Sequence, residues 1–154
     1  SNFIDMILDR IFESFEMSKE KKYIALSKSF LISGDMAHAA HPAYPEKNDP
    51  HMQVSLNKGP VLKHNSNQSY ASNAKATAYI KTICNKNDIP LQEYANRSDI
   101  RGGGTIGPML SAEYGITAVD IGNPMLSMHS ARELGGSKDP IMIHNLFKVF
   151  YSNN

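Results

Sequence analysis

Apolar residues recur at helical spacing from the start of the chain. Phe3, Ile4, Ile7, Leu8, Ile11, Phe12 and Phe15 line one side, with Asp5, Asp9, Arg10 and Glu13 on the other. That period predicts an amphipathic helix over 3–15, with Ser1 or Asn2 placed to cap it. An opening that enters a helix so directly reads as the interior of a longer chain or as a processed terminus. A charged connector over 16–22 follows. The run Ser29-Phe30-Leu31-Ile32-Ser33-Gly34-Asp35 then has the apolar centre and small, acidic end of a buried strand. Pro42, Pro45, Pro50 and Gly59 break up 36–59, which reads as ordered loop. A second strand is predicted over 60–65 and an Ala-rich helix over 71–85. A short strand over 91–95 precedes a helix over 106–113. The clearest strand, 117–121, leads through a loop to Gly136, and a last helix spans 140–151. Helices and strands alternate, so the predicted fold class is α/β, a sheet with helices on both faces.

Composition narrows the function classes. The chain has 154 residues, about one domain, with 41% apolar and 20% charged residues. Sixteen Lys and Arg against fifteen Asp and Glu leave a net charge of +1, without the basic excess of a nucleic-acid binder. No apolar run approaches the ~20 residues that span a bilayer. Cys84 is the only cysteine, so no internal disulfide can form, and a reducing, cytoplasmic location is expected.

In open α/β sheets, functional groups gather beyond the carboxyl ends of strands. Two polar loops satisfy that rule: the one running from Asp35 through His38 to His41, and Ser127-Met128-His129-Ser130. Carboxylate and imidazole together suit zinc or another transition metal, although a hydrogen-bonded Asp–His pair would use the same residues. Gly102-Gly103-Gly104-Thr105 before a helix could present backbone N–H groups to an anion, or form a tight strand-to-helix turn. It has neither the Lys-Ser/Thr ending of a P-loop nor a dinucleotide fingerprint. Cys84 follows Ile83 on a predicted helix and reads as a core thiol. Lys63 and His64 are neighbours on a strand and must face opposite ways.

Several of these segments fall in motifs that resemble one family. Ser33-Gly34-Asp35-Met36-Ala37-His38-Ala39-Ala40-His41-Pro42 resembles the signature of the aspartyl aminopeptidases, zinc metallopeptidases that remove acidic N-terminal residues. Asn57-Lys58-Gly59-Pro60-Val61-Leu62-Lys63, Gln68-Ser69-Tyr70-Ala71-Ser72-Asn73, Gly104-Thr105-Ile106-Gly107-Pro108 and Leu126-Ser127-Met128-His129-Ser130-Ala131-Arg132-Glu133 continue the resemblance in the same order. The resemblance implies a zinc-peptidase catalytic domain with two zinc ions per complete active site. Asp35 matches a ligand of one ion and His129 a ligand of the other. His38, Lys63 and Tyr70 match substrate-binding residues, and the Lys63 charge would pair with the acidic side chain being selected. It further implies a homo-oligomeric parent.

The departures matter too. The family's other ligands and its adjacent pair of glutamates, one of them the general base, have no counterpart, and no Glu-Glu dipeptide occurs. Ser69 stands where Arg is frequent in the family. The expectation is therefore a carboxyl-terminal part of the catalytic domain, 1–154, inactive alone, with no catalytic base of its own and with peptides bearing acidic N-termini as substrates. The competing expectation is a non-enzymatic α/β module that binds an anion or an assembly partner through the 102–105 turn.

Overall fold

The computed structural model describes residues 2–100 and 102–152. Four strands form the main sheet: β1 (Phe30–Gly34), β3 (Val61–His64), β4 (Gln92–Ala95) and β5 (Thr117–Gly122), in the order β1-β5-β3-β4. β1 lies parallel to β5, β5 antiparallel to β3, and β3 parallel to β4. Successive side chains on a strand point to opposite faces, and the sequence uses both. Leu62, Val119 and Ile121 meet Ile80, Ile83 and Cys84 of α3 (Ala74–Lys86) and Leu146 and Phe150 of α5 (Asp139–Ser152). Phe30 joins them, its ring 5.0 Å from Tyr79 and 5.7 Å from Phe150. The opposite face carries α4 (Gly107–Tyr114) against β1 and β5. Helices on both faces are thus observed.

The loop expected over 36–59 and the one leading to Gly136 contribute a second, smaller sheet. It is built from β2 (Ala37–His38), β6 (Pro124–Leu126) and β7 (Leu134–Gly135). β1 continues into β2 and β5 into β6 as one parallel ribbon. Its backbone bonds run unbroken from Asp35 N to Ile121 O (3.1 Å), Ala37 N to Asn123 O (2.9 Å) and Ala39 N to Met125 O (2.9 Å). Gly122 makes the bend possible: a Cβ there would lie 1.7 Å from the Asp35 carbonyl oxygen.

The charged connector is also more ordered than its composition suggests. Ser18 caps α2 (Lys19–Lys28) by accepting from Lys21 N. An Asp9–Lys22 ion pair ties that helix to α1 (Phe3–Ser14). Ser1 lies outside the described residues, and the Asn2 side chain makes no capping bond. α1 has no buried residue; Phe3, Met6, Ile7 and Ile11 stand exposed on it, and Phe15 just beyond its end. Among the described residues no helix is long and apolar enough to cross a membrane.

Candidate active site

The polar groups converge where β1 and β3 end. β1 and β3 are not neighbours, yet their ends bring Asp35 and Lys63 together across 28 positions of sequence. Lys63 Nζ donates to Asp35 Oδ2 at 3.1 Å and to the Met36 carbonyl at 2.8 Å. The lysine is 2% exposed, whereas the Asp35 side chain is 55% exposed, so the pair points from the interior toward solvent. The Tyr70 ring lies under the ammonium, 5.3 Å from Nζ to centroid, a cation–π contact. Of three ammonium N–H donors, Asp35 and Met36 take two. His64 faces the other way, as strand alternation requires, and pairs at 2.9 Å with Glu93, which also binds Lys81 at 2.7 Å.

His38 stands on β2, opposite Met125 of β6 in register. Its pKa is pulled down by partial desolvation and by the nearby His129 and Lys63, which keeps the imidazole neutral at physiological pH. The two polar loops picked out from the sequence are therefore neighbours, joined by β2–β6 pairing. His38 and Tyr70 line a cavity of about 760 Å³ with His41, Tyr44, Tyr94 and Arg97. Burial raises the Tyr70 phenol, and the Asp120 and Asp35 charges raise it further. Tyr94 is pushed up to about 12, chiefly by burial, and its hydroxyl donates to Asn96. Both phenols stay protonated, the Tyr94 O–H being already committed to Asn96. His41 is turned to its own loop, where Nδ1 accepts from Ala43 N at 3.2 Å.

His129 lies in the turn between β6 and β7. Ser127 and His129 both adopt positive φ, 56° and 68°, and His129 N donates to Glu133 Oε1 at 2.6 Å. Left-handed backbone is uncommon for residues other than glycine and clusters at functional sites. As metal donors, Asp35 and His129 fit. One Asp35 oxygen carries no bond, and the exposed His129 ring nitrogens make none, among the described residues. Among those residues no group of three or more His, Cys, Asp or Glu converges to hold an ion. The two side chains suit a centre that further ligands complete.

Asp120 went unremarked in the sequence, although a carboxylate between Val119 and Ile121 of an apolar strand was the available signal. It is fully buried beside Gly107, the first residue of α4, where a Cβ would meet its oxygens at 2.7 and 2.8 Å.

The family model described as Aminopeptidase I zinc metalloprotease (M18) matches residues 1–151. The chain belongs to this family. An M18 relative from Clostridium novyi, a probable M18 family aminopeptidase 2, is 48% identical over 152 residues, covering 99% of this chain and 35% of that protein. The aspartyl aminopeptidase of Dictyostelium discoideum is 50% identical over 128 residues, covering 83% and 26%. Among solved structures, a chain of the Ape4 and Nbr1 complex superposes with a TM-score of 0.92 at 43% identity, covering 99% of this chain and 29% of that one. The S. cerevesiae mApe1 dodecamer gives 0.83 at 26% identity, covering 98% and 33%. The chain spans about a third or less of the length of these M18 relatives.

Proposed function

We propose that the chain forms the carboxyl-terminal wall of a zinc aminopeptidase active site that releases acidic N-terminal residues from peptides. The observation that carries this reading is the buried Lys63 ammonium, held by Asp35 and Met36 against the ring of Tyr70, a residue that lines the cavity, with its third N–H free of a hydrogen-bond acceptor among the described residues. A desolvated ammonium binds a carboxylate far more strongly than an exposed one, which is the requirement for selecting Asp or Glu over neutral residues. Asp35 and His129 are the proposed ligands, one to each of two zinc ions. When bound, zinc polarises the scissile carbonyl and lowers the pKa of a water. Lys63 orients Asp35 by its hydrogen bond and offers its third N–H to the substrate's side chain. Tyr70 and neutral His38 donate to the peptide near the scissile bond. The chain supplies no general base, so the rest of the catalytic domain provides it, and 1–154 alone is inactive. A homo-oligomeric, cytoplasmic parent completes the proposal; the S. cerevesiae mApe1 dodecamer and the single, buried cysteine support those two parts.

The test uses the complete enzyme. Asp35→Ala and His129→Ala should each lower bound zinc by about one ion per chain, read by elemental analysis, and abolish release of N-terminal Asp. Undiminished zinc in both variants, or a wild-type preference for N-terminal Leu over Asp, would overturn the proposal.

A further inference from the structure

We propose that Asp120 is a positioning residue, whose carboxylate and backbone together hold the Tyr70–Ser72 segment and so set the Tyr70 ring against the Lys63 ammonium. The inference rests on the substrate-binding reading of Tyr70. Asp120 is 0% exposed, in the middle of β5, and no cation pairs with it among the described residues. Burying a carboxylate without a counter-charge is costly, so its retention needs a reason beyond packing.

Its hydrogen bonds supply one. Asp120 Oδ2 accepts from Ala71 N at 2.6 Å, and Asp120 N donates to Ser72 Oγ at 3.1 Å. Both bonds grip the connection that carries Tyr70, over a sequence distance of nearly fifty residues. Outside this grip, the connection is held before Tyr70 by turn bonds to Asn65, from Gln68 N to its carbonyl at 3.1 Å and from Ser69 N to Oδ1 at 3.4 Å, and by the Thr105 N to Ser69 O contact at 3.4 Å, and after it by the Asn73 cap of α3, which accepts from Ala76 N at 2.9 Å. None of these fixes the Tyr70 backbone itself. The site is shaped around the carboxylate: Gly107 leaves room for it, and Ser33, its register partner on β1, presents a small side chain. Among the described residues, Asp120 Oδ1 and Ser33 Oγ both lack a hydrogen-bond partner. A second effect is electrostatic. The Asp120 charge lies near enough to Tyr70 to raise the phenol, after burial the largest influence on it. Asp120 therefore acts on Tyr70 chiefly through the placement of its segment.

The experiment is a double-mutant cycle in the complete enzyme with a peptide bearing N-terminal Asp. Asp120→Ala should raise KM about tenfold while kcat changes less than about threefold, the scale of losing a charged hydrogen bond that orients a binding residue. Asp120→Asn, which keeps an oxygen for Ala71 N–H, should recover most of that KM. Asp120→Ala should add nothing in a Tyr70→Ala background. If Asp120→Ala fails to fold, Ser72→Ala carries the test, with KM raised roughly threefold as the acceptor of Asp120 N is removed. An unchanged KM in Ser72→Ala, or Asp120→Ala and Tyr70→Ala effects that multiply in the double variant, would overturn this inference alone. An unchanged KM in Tyr70→Ala would overturn the substrate-binding reading and this inference with it.

Discussion

Replacing Lys63 by Met keeps the length of the side chain and removes its charge and all its donors. Three contributions decide the outcome. The Met36 carbonyl, 2.8 Å from Nζ, loses its partner, and a bond from a charged donor is worth about 1.5–3 kcal/mol. The Asp35 pair at 3.1 Å contributes less, about 1 kcal/mol or below, because that carboxylate reaches water. Against both stands the removal of a buried charge, whose desolvation cost of several kcal/mol is no longer incurred. The gain and the losses are of similar size, so the expected net change in stability lies within about 2 kcal/mol of zero. The effect on selection should be larger than the effect on stability. Loss of a charged, desolvated donor should lower kcat/KM for N-terminal Asp by about 10- to 100-fold and leave N-terminal Leu nearly unchanged. Urea unfolding and paired kinetics on Asp and Leu peptides read both quantities in the complete enzyme. If the Asp-to-Leu ratio survives while stability falls, Lys63 is a tie for Asp35 and not a reader of substrate. If neither moves, the pairing contributes nothing.

Other consequences are open to simpler assays. Ile80 is fully buried between helix α3 and the sheet, so Ile80→Ala should cost about 2–5 kcal/mol in urea unfolding. Burial pushes the Cys84 thiol up to about 11, so native protein at pH 8 should resist iodoacetamide and react only on unfolding, as peptide mass mapping would show. Burial would raise the Glu93 carboxyl, but Lys81 and His64 outweigh it and hold it below its ordinary 4.5. The unfolded chain then binds the proton more readily, so this contribution is complete above pH 4.5 and lost as pH falls through the lower folded value. Melting temperature measured from pH 6 to 3 should therefore decline less steeply in Glu93→Gln than in the parent.

Periodicity located what depended on long patterns. α1, α3, α5 and the four main strands follow from apolar spacing, which tracks a buried face in α3, α5 and the sheet and an exposed apolar one in α1. α2 escaped because Lys19, Glu20, Lys21 and Lys22 read as solvated connector, and only Leu26 of that helix is buried. β2, β6 and β7 have two or three residues each, and Pro124 opens one of them, so no period could develop. At the site, alternation on β3 was enough to separate Lys63 from His64. The partner of each was not legible: Asp35 and Glu93 lie about thirty positions away, and only sheet topology brings them close. Asp120 was visible as an anomaly, a charge inside an apolar strand, but its grip on Ala71 and Ser72 depends on how the chain returns after β3.

The ribbon that bends at Gly122 bears on how this region can diverge. Asp35 sits at the bend of one rail, and His129 follows shortly after the other rail ends at Leu126. Their separation is metered by backbone bonds and so is nearly indifferent to which apolar side chains line the strands. It is acutely sensitive to length, since inserting or deleting one residue in either rail would turn every following side chain to the wrong face. Descendants of such a ribbon are free to drift in composition while the residue count along each rail, from Asp35 to Ala39 and from Gly122 to His129, stays frozen, with insertions confined to segments outside the rails such as the excursion over 40–59 and the turn over 130–133.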